Sequence, residues 1–140
     1  MPVVRRRATV DRLTGRAPGH LVPRGLRRAS TSNLDTVISK AAFLSLHTSP
    51  LVQPGVGDGG GMNVYVRELV SGLAGAGVVC RVYVRRWAED LPERVLVEPG
   101  FEVVHVPAGP VELAKENLAA HVDDFTDWVA KDFVDFEPDI

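Results

Sequence analysis

A single cysteine, Cys80, is present, so no disulfide can form within the chain. It lies in the strand-like run Val78-Val-Cys-Arg-Val-Tyr-Val84, where a lone cysteine serves as a small hydrophobe, and a reducing cytoplasm is the expected compartment. Long apolar runs are also missing. Nothing approaches the ~18 consecutive apolar residues of a membrane span. No apolar core of ~7–15 residues follows the N-terminal arginines, as a secretory signal requires. The four histidines are scattered without zinc-like spacing, and no metal is expected.

A hydrophobic fraction of 45% over 140 residues is enough for one domain with a real core. The formal net charge of −2 conceals a division. Residues 1–35 carry eight arginines against Asp11 and Asp35, whereas eight basic residues face sixteen acidic ones from Thr36 onward. Residues 1–38 lack apolar periodicity and are punctuated by Pro, Gly, Ser and Thr, so they read as a disordered basic arm ahead of a domain over 39–140. Such an arm suits a targeting peptide, a nucleic-acid contact or a leader without function. Within it, Leu21-Val-Pro-Arg-Gly25 has the form of a thrombin-type cleavage site and Arg27-Arg-Ala-Ser30 that of a basophilic kinase site.

Beyond the arm, the pattern alternates between strands and helices. Ala41-Ala-Phe-Leu-Ser-Leu46 is an unbroken apolar run of the kind found in buried parallel strands. Met62–Ala76 places Met62, Val66, Leu69, Val70 and Leu73 at helical spacing, and Gly75 and Gly77 supply the stop. Val79–Val84 is a second strand, and Phe101–Val106 a third. Residues 111–136 are expected as one long helix, with Leu118, Val122, Phe125, Val129 and Phe133 on its apolar side. Glu137-Pro-Asp-Ile140 reads as the opening of a fourth strand, and a chain ending there is expected to be a cut one. The alternation implies a doubly wound parallel sheet with ligands beyond the carboxyl ends of its strands.

At that end of the first strand lies a glycine-rich loop, followed by a helix start. Its exposed backbone N–H groups and the positive end of the helix dipole suit a phosphate or another anion. Gly55-Val-Gly57-Asp-Gly-Gly60 matches the dinucleotide fingerprint letter by letter, but eight residues separate it from Leu46, where the fingerprint follows its strand directly. The second strand ends in Arg85-Arg86, which suits at best a phosphorylated ribose, instead of the acidic residue that holds a free one. A P-loop fits worse, since no Lys-Ser/Thr pair follows the glycines.

The full loop, His47-Thr-Ser-Pro-Leu-Val-Gln-Pro-Gly-Val-Gly-Asp-Gly-Gly-Gly-Met-Asn-Val-Tyr65, resembles the N-terminal motif of family 4 retaining glycosyltransferases. The likeness is closest to the branch that moves N-acetylglucosamine onto inositol phosphate in mycothiol synthesis, and looser to sucrose-phosphate synthases. It extends over about residues 40–140, taking in Ala108-Gly-Pro110 and the closing Pro138-Asp-Ile140.

The resemblance implies a Rossmann-like parallel sheet, as an incomplete N-terminal, acceptor-side domain of a GT-B fold. It implies transfer of a sugar from a nucleoside diphosphate sugar, UDP-linked in the nearest relatives, to a sugar phosphate or inositol phosphate. By the same resemblance, His47, Asp58, Gly59, Gly60, Gly61, Met62, Asn63 and Lys115 would meet the acceptor. Gln53, Pro54 and Gly61 would meet the donor, with Gly61 leaving room for its diphosphate. The segment around Lys115 is one residue shorter than the family pattern. No cofactor beyond the nucleotide sugar, no nucleic acid and no membrane span are implied.

Members of this family carry a second Rossmann-like domain that supplies most donor contacts, so the chain alone is expected to lack transferase activity. A non-catalytic sugar-phosphate-binding module or remnant is the alternative. Plainer roles stay open for several residues: His47 as a strand terminator, Met62 and Tyr65 as packing residues, Asn63 as a helix-start residue and Lys115 as a solvated lysine. His105 and His121 read as structural, and Trp128 with the helix phenylalanines as core. Trp87 has no assigned role.

Overall fold

A computed structural model describes residues 37–55 and 60–140. Residues 1–36 of the basic arm, with its cleavage-like and kinase-like strings, and Asp58 and Gly59 of the glycine loop lie outside the described residues.

The element order is β1 (Lys40–Ser45), α1 (Gly61–Gly75), β2 (Val79–Arg85), β3 (Arg94–Glu98), β4 (Phe101–Val106), a 3₁₀ helix (Lys115–His121) and α2 (Val122–Phe136). The sheet runs β1-β2-β4-β3. β1 pairs with β2 and β2 with β4 in parallel, in registers such as Ala41↔Cys80 and Val82↔Val103. β3 is antiparallel to β4 at the edge. The sequence reading passed over this strand, which has only five residues and stands between Pro92 and Pro99. The available signal was Pro99-Gly100 between two β-branched runs: Gly100 takes φ 83°, the left-handed conformation that closes a tight hairpin.

The pleat sends alternate side chains to the two faces of the sheet. On one face Ala41, Cys80, Val82, Val84, Phe101 and Val103 pack with Val70 of α1. On the other, Tyr83, Val104 and Val106 pack with Phe125 and Val129 of α2. With helices on both faces, the central strands β2 and β4 are mostly buried and rich in apolar residues, interrupted by Arg81, Arg85, Glu102 and His105. α1 ends in a Schellman-type cap: Gly77 N–H donates to Ala74 O at 2.9 Å and Val78 N–H to Leu73 O at 3.0 Å.

Two helical expectations are corrected. α1 keeps Val66, Val70 and Leu73 of the predicted face against the core, but Asn63 is buried where Met62 was expected, and Met62, 59% exposed, lies outside with Leu69 and Tyr65. Neither Met62 nor Tyr65 is therefore a packing residue. The long helix over 111–136 is broken, with α2 beginning only at Val122. Residues 111–121 are mostly good helix formers, but the carbonyls of Pro110 and Val111 are drawn to Arg85 (2.8 and 3.3 Å). Tertiary hydrogen bonding overrides propensity there, and the chain settles into the 3₁₀ helix instead.

Residues 137–140 form no regular strand, yet their backbone lies along the free edge of β1. Asp139 N–H donates to Lys40 O at 2.9 Å, and Ala42 N–H to Ile140 O at 2.8 Å. The Asp139 carboxylate also accepts from Ser39 N–H (2.7 Å), Ser39 Oγ (2.8 Å) and Lys40 N–H (2.9 Å). The chain thus runs from β1 to β2 and β4, then returns over the sheet to the far side of β1.

Candidate functional site

The loops leaving the carboxyl ends of β1, β2 and β4 enclose a cleft of about 520 Å³. Such a position, at the ends of parallel strands, is where open α/β sheets take ligands. The β1 loop contributes Leu46, His47, Thr48, Ser49 and Val52. Asn63 enters from α1, Arg85 and Trp87 from the end of β2, and Val111, Glu112, Leu113, Lys115 and Leu118 from the segment after β4.

The β1 loop is held by its own short polar side chains. Ser45 Oγ lies 2.7 Å from both the carbonyl and the hydroxyl oxygen of Thr48. Leu51 N–H donates to Ser49 Oγ at 3.2 Å, and Val52 N–H to Ser49 O at 3.1 Å. These turns leave His47 exposed at the mouth of the cleft.

Asn63, 4% exposed, donates from Nδ2 to Ser49 O at 2.9 Å. Its Oδ1 is buried without a hydrogen-bond partner among the described residues. A buried orphan acceptor is costly, and in a ligand cleft it marks a position for a hydroxyl or N–H donor. α1 itself begins at Gly61, with no side-chain cap and no acidic residue in its first turn. A methyl group built on Gly61 would meet none of the described residues within 4 Å.

Of the residues singled out from sequence, the cleft brings together His47, Asn63 and Lys115. Gly60, Gly61 and Met62 stand exposed at the start of α1 outside its wall, and Gln53 and Pro54 are exposed on the preceding loop. Sequence reasoning missed Arg85, Trp87 and Glu112 as wall residues. For Arg85 a signal existed: a charged residue at the carboxyl end of a central parallel strand stands at the ligand-binding end of the sheet. The residue is 7% exposed, and burial pushes its pKa below the ordinary arginine value.

Behind the cleft, His105 is almost wholly buried. Its Nδ1 donates to Pro92 O at 2.6 Å, and its ring meets Trp87 edge-on at 5.1 Å. Those contacts orient Trp87 at the cleft wall, consistent with a structural reading of His105. His121 sits over Gly109, beside Asp124 at 3.2 Å.

Among the described residues, no cluster of three or more His, Cys, Asp or Glu side chains could hold a metal ion. None of the described helices is long and apolar enough to cross a membrane.

Comparison with known proteins bears on the same region. Residues 60–140 match the glycosyl transferase 4-like domain. The D-inositol 3-phosphate glycosyltransferase of Geodermatophilus obscurus is 49% identical over 100 residues, covering 71% of this chain and 22% of that protein. Its counterpart from Nocardiopsis dassonvillei is 48% identical over 104 residues, covering 74% and 24%. Among solved structures, sucrose-phosphate synthase from Thermosynechococcus elongatus superposes with a TM-score of 0.69 at 25% identity, covering 71% of this chain and 25% of that one. The chain therefore spans about a quarter of the length of the relatives it matches.

Proposed function

The chain belongs to the glycosyl transferase 4-like family, and from that premise we propose that its cleft is the acceptor side of a retaining glycosyltransferase. The donor is a nucleoside diphosphate sugar, with uridine as the base, and the acceptor is a phosphorylated inositol or sugar. The relatives named for D-inositol 3-phosphate favour inositol phosphate over a hexose phosphate.

One observation carries the reading: a cleft that sets an unsatisfied hydrogen-bond acceptor, Asn63 Oδ1, in one lining with the cationic and donor groups of Lys115 and His47. A phosphorylated polyol has hydroxyls to give to the first and a phosphate to place against the others. Asp58, Gly59, Gly60, Gly61 and Met62 extend the acceptor loop on this reading. Gln53 and Pro54 belong to the donor side with Gly61. The uncapped start of α1 supports a role toward the donor, because backbone N–H groups there stabilise charge building on the departing diphosphate. No metal cofactor and no nucleic acid enter this scheme, and the compartment is cytoplasmic.

Calorimetric titration of the chain with D-inositol 3-phosphate, glucose 6-phosphate and unphosphorylated inositol tests the assignment. Binding of the phosphorylated polyol, weakened by Lys115→Ala and by His47→Ala, is the expected result. Equal affinity for inositol with and without phosphate would remove the phosphate from this cleft.

A further inference from the structure

The segment that carries Lys115 is weakly anchored by packing. Ala108 is fully buried at its start and Leu118 nearly so at its end, but no residue from 109 to 117 is buried. Its own backbone bonds are short-range, with Leu113 N–H donating to Val111 O at 3.1 Å and Asn117 N–H to Ala114 O at 2.9 Å. Neither fixes the segment against the sheet.

Arg85 does. Along β2 it shares a face with Arg81 and Tyr83, but the partners differ. Arg81 pairs with Glu102 at 2.8 Å and Asp132 at 3.0 Å. Arg85 meets neutral oxygens: Nη1 donates to Arg86 O at 2.9 Å and Pro110 O at 2.8 Å, and Nη2 to Val111 O at 3.3 Å. Among the described residues no carboxylate pairs with it. A buried guanidinium keeps its charge, and charge-assisted bonds to carbonyls are among the stronger ones a protein makes. The planar fork reaches two successive carbonyls of the segment from one rigid strand end, which a lysine ammonium cannot reproduce.

We propose that Arg85 is a positioning residue that holds the segment over 109–117 against the end of β2 and thereby sets Lys115 at the mouth of the cleft. Its consequence for ligand affinity rests on the reading of Lys115 as a contact to the acceptor phosphate.

Arg85→Lys, which keeps the charge and loses the fork, is the test, with Arg85→Gln as a second variant should the first fail to fold. In the ligand-free chain, amide hydrogen exchange at Leu113 and Asn117 is expected to quicken about tenfold or more, the scale of a lost charge-assisted bond. Val70 and Val82 amides should stay unchanged. Unaltered exchange at Leu113 and Asn117 overturns the proposal. Affinity for D-inositol 3-phosphate should fall about tenfold, with no further fall when Arg85→Lys is placed on Lys115→Ala, because Arg85 acts through that segment. Additive losses would make Arg85 a direct ligand contact and overturn the positioning role. A wild-type chain that exchanges as expected but does not bind the probe refutes the acceptor reading and leaves Arg85 as the holder of the segment.

Discussion

Asn63 gives its side-chain N–H to the carbonyl of Ser49 at 2.9 Å, tying the first turn of α1 to the loop that leaves β1. The bond spans the glycine-rich stretch, so it sets where the helix starts relative to the strand. Asn63→Ala should lower stability by about 1–3 kcal/mol, the cost of stranding a buried carbonyl, measured by urea unfolding. It should also weaken binding of D-inositol 3-phosphate, because the free Oδ1 goes with it. Asn63→Asp puts a carboxylate against the Ser49 carbonyl in a buried site, which disfavours the charged form. That variant should gain stability as pH falls, when the protonated acid can donate to Ser49 O. A pH-independent loss would show that the amide does not make this bond in solution.

Asp132 is the hub of an ion network on the α2 face of the sheet. Its Oδ2 accepts from Tyr83 OH at 2.7 Å and from Arg81 at 3.0 Å, and its Oδ1 accepts from Arg94. Glu102 closes the circuit to Arg81 and Arg94 at 2.8 and 3.2 Å. Burial opposes ionisation of Asp132, but hydrogen bonds from Tyr83 and Arg94, with the charges of Arg94 and Arg81, hold its carboxyl below the usual range. Burial and the Asp132 hydrogen bond together raise the Tyr83 phenol. A depressed carboxylate contributes stability that is complete above its unfolded pKa of ~3.9 and is lost as pH falls through the lower folded value. Asp132→Asn should therefore cost about 2 kcal/mol at neutral pH, between exposed and buried ion pairs. The gap from wild type should narrow below pH ~4. Parallel stability curves down to strong acid would refute the linkage.

Gly109 needs both its φ of 70° and its missing side chain. A Cβ there would stand 2.7 Å from the His121 ring. Gly109→Ala must adopt a left-handed backbone and push the ring aside, at a cost of about 1–3 kcal/mol. Because the ring belongs to the 3₁₀ helix that also begins with Lys115, the variant should perturb the His121 imidazole resonances in NMR spectra. An unshifted His121 with unchanged stability would contradict the packing.

These cases mark what could be read in advance. The strands at 41–46, 79–84 and 101–106 announced themselves as short runs rich in apolar and β-branched residues. β3 did not, since it is a short edge strand whose central Leu96 is exposed. His47 and Asn63 came from the motif over 47–65 and Lys115 from the wider resemblance over 40–140, and all three line one cleft. Arg85 was not, because what distinguishes it is the set of carbonyls it meets, from residues 25 and 26 positions further along the chain. The break before α2 was hidden for the same reason. Helical propensity over 111–121 is local, and the bonds that defeat it are not.

Gly61 separates folding from ligand binding. Its backbone needs no left-handed conformation, and a methyl group built there meets none of the described residues within 4 Å. Gly61→Ala should therefore fold as well as the wild type, or gain up to about 1 kcal/mol from the reduced freedom of the unfolded chain. If the donor diphosphate approaches the start of α1, the same methyl group would stand between it and the backbone N–H groups. Titration with UDP-N-acetylglucosamine should then show weakened binding in a variant whose melting temperature is unchanged or raised. Undiminished donor binding at unchanged stability would move the diphosphate away from this helix, leaving the space beside Gly61 to the acceptor alone.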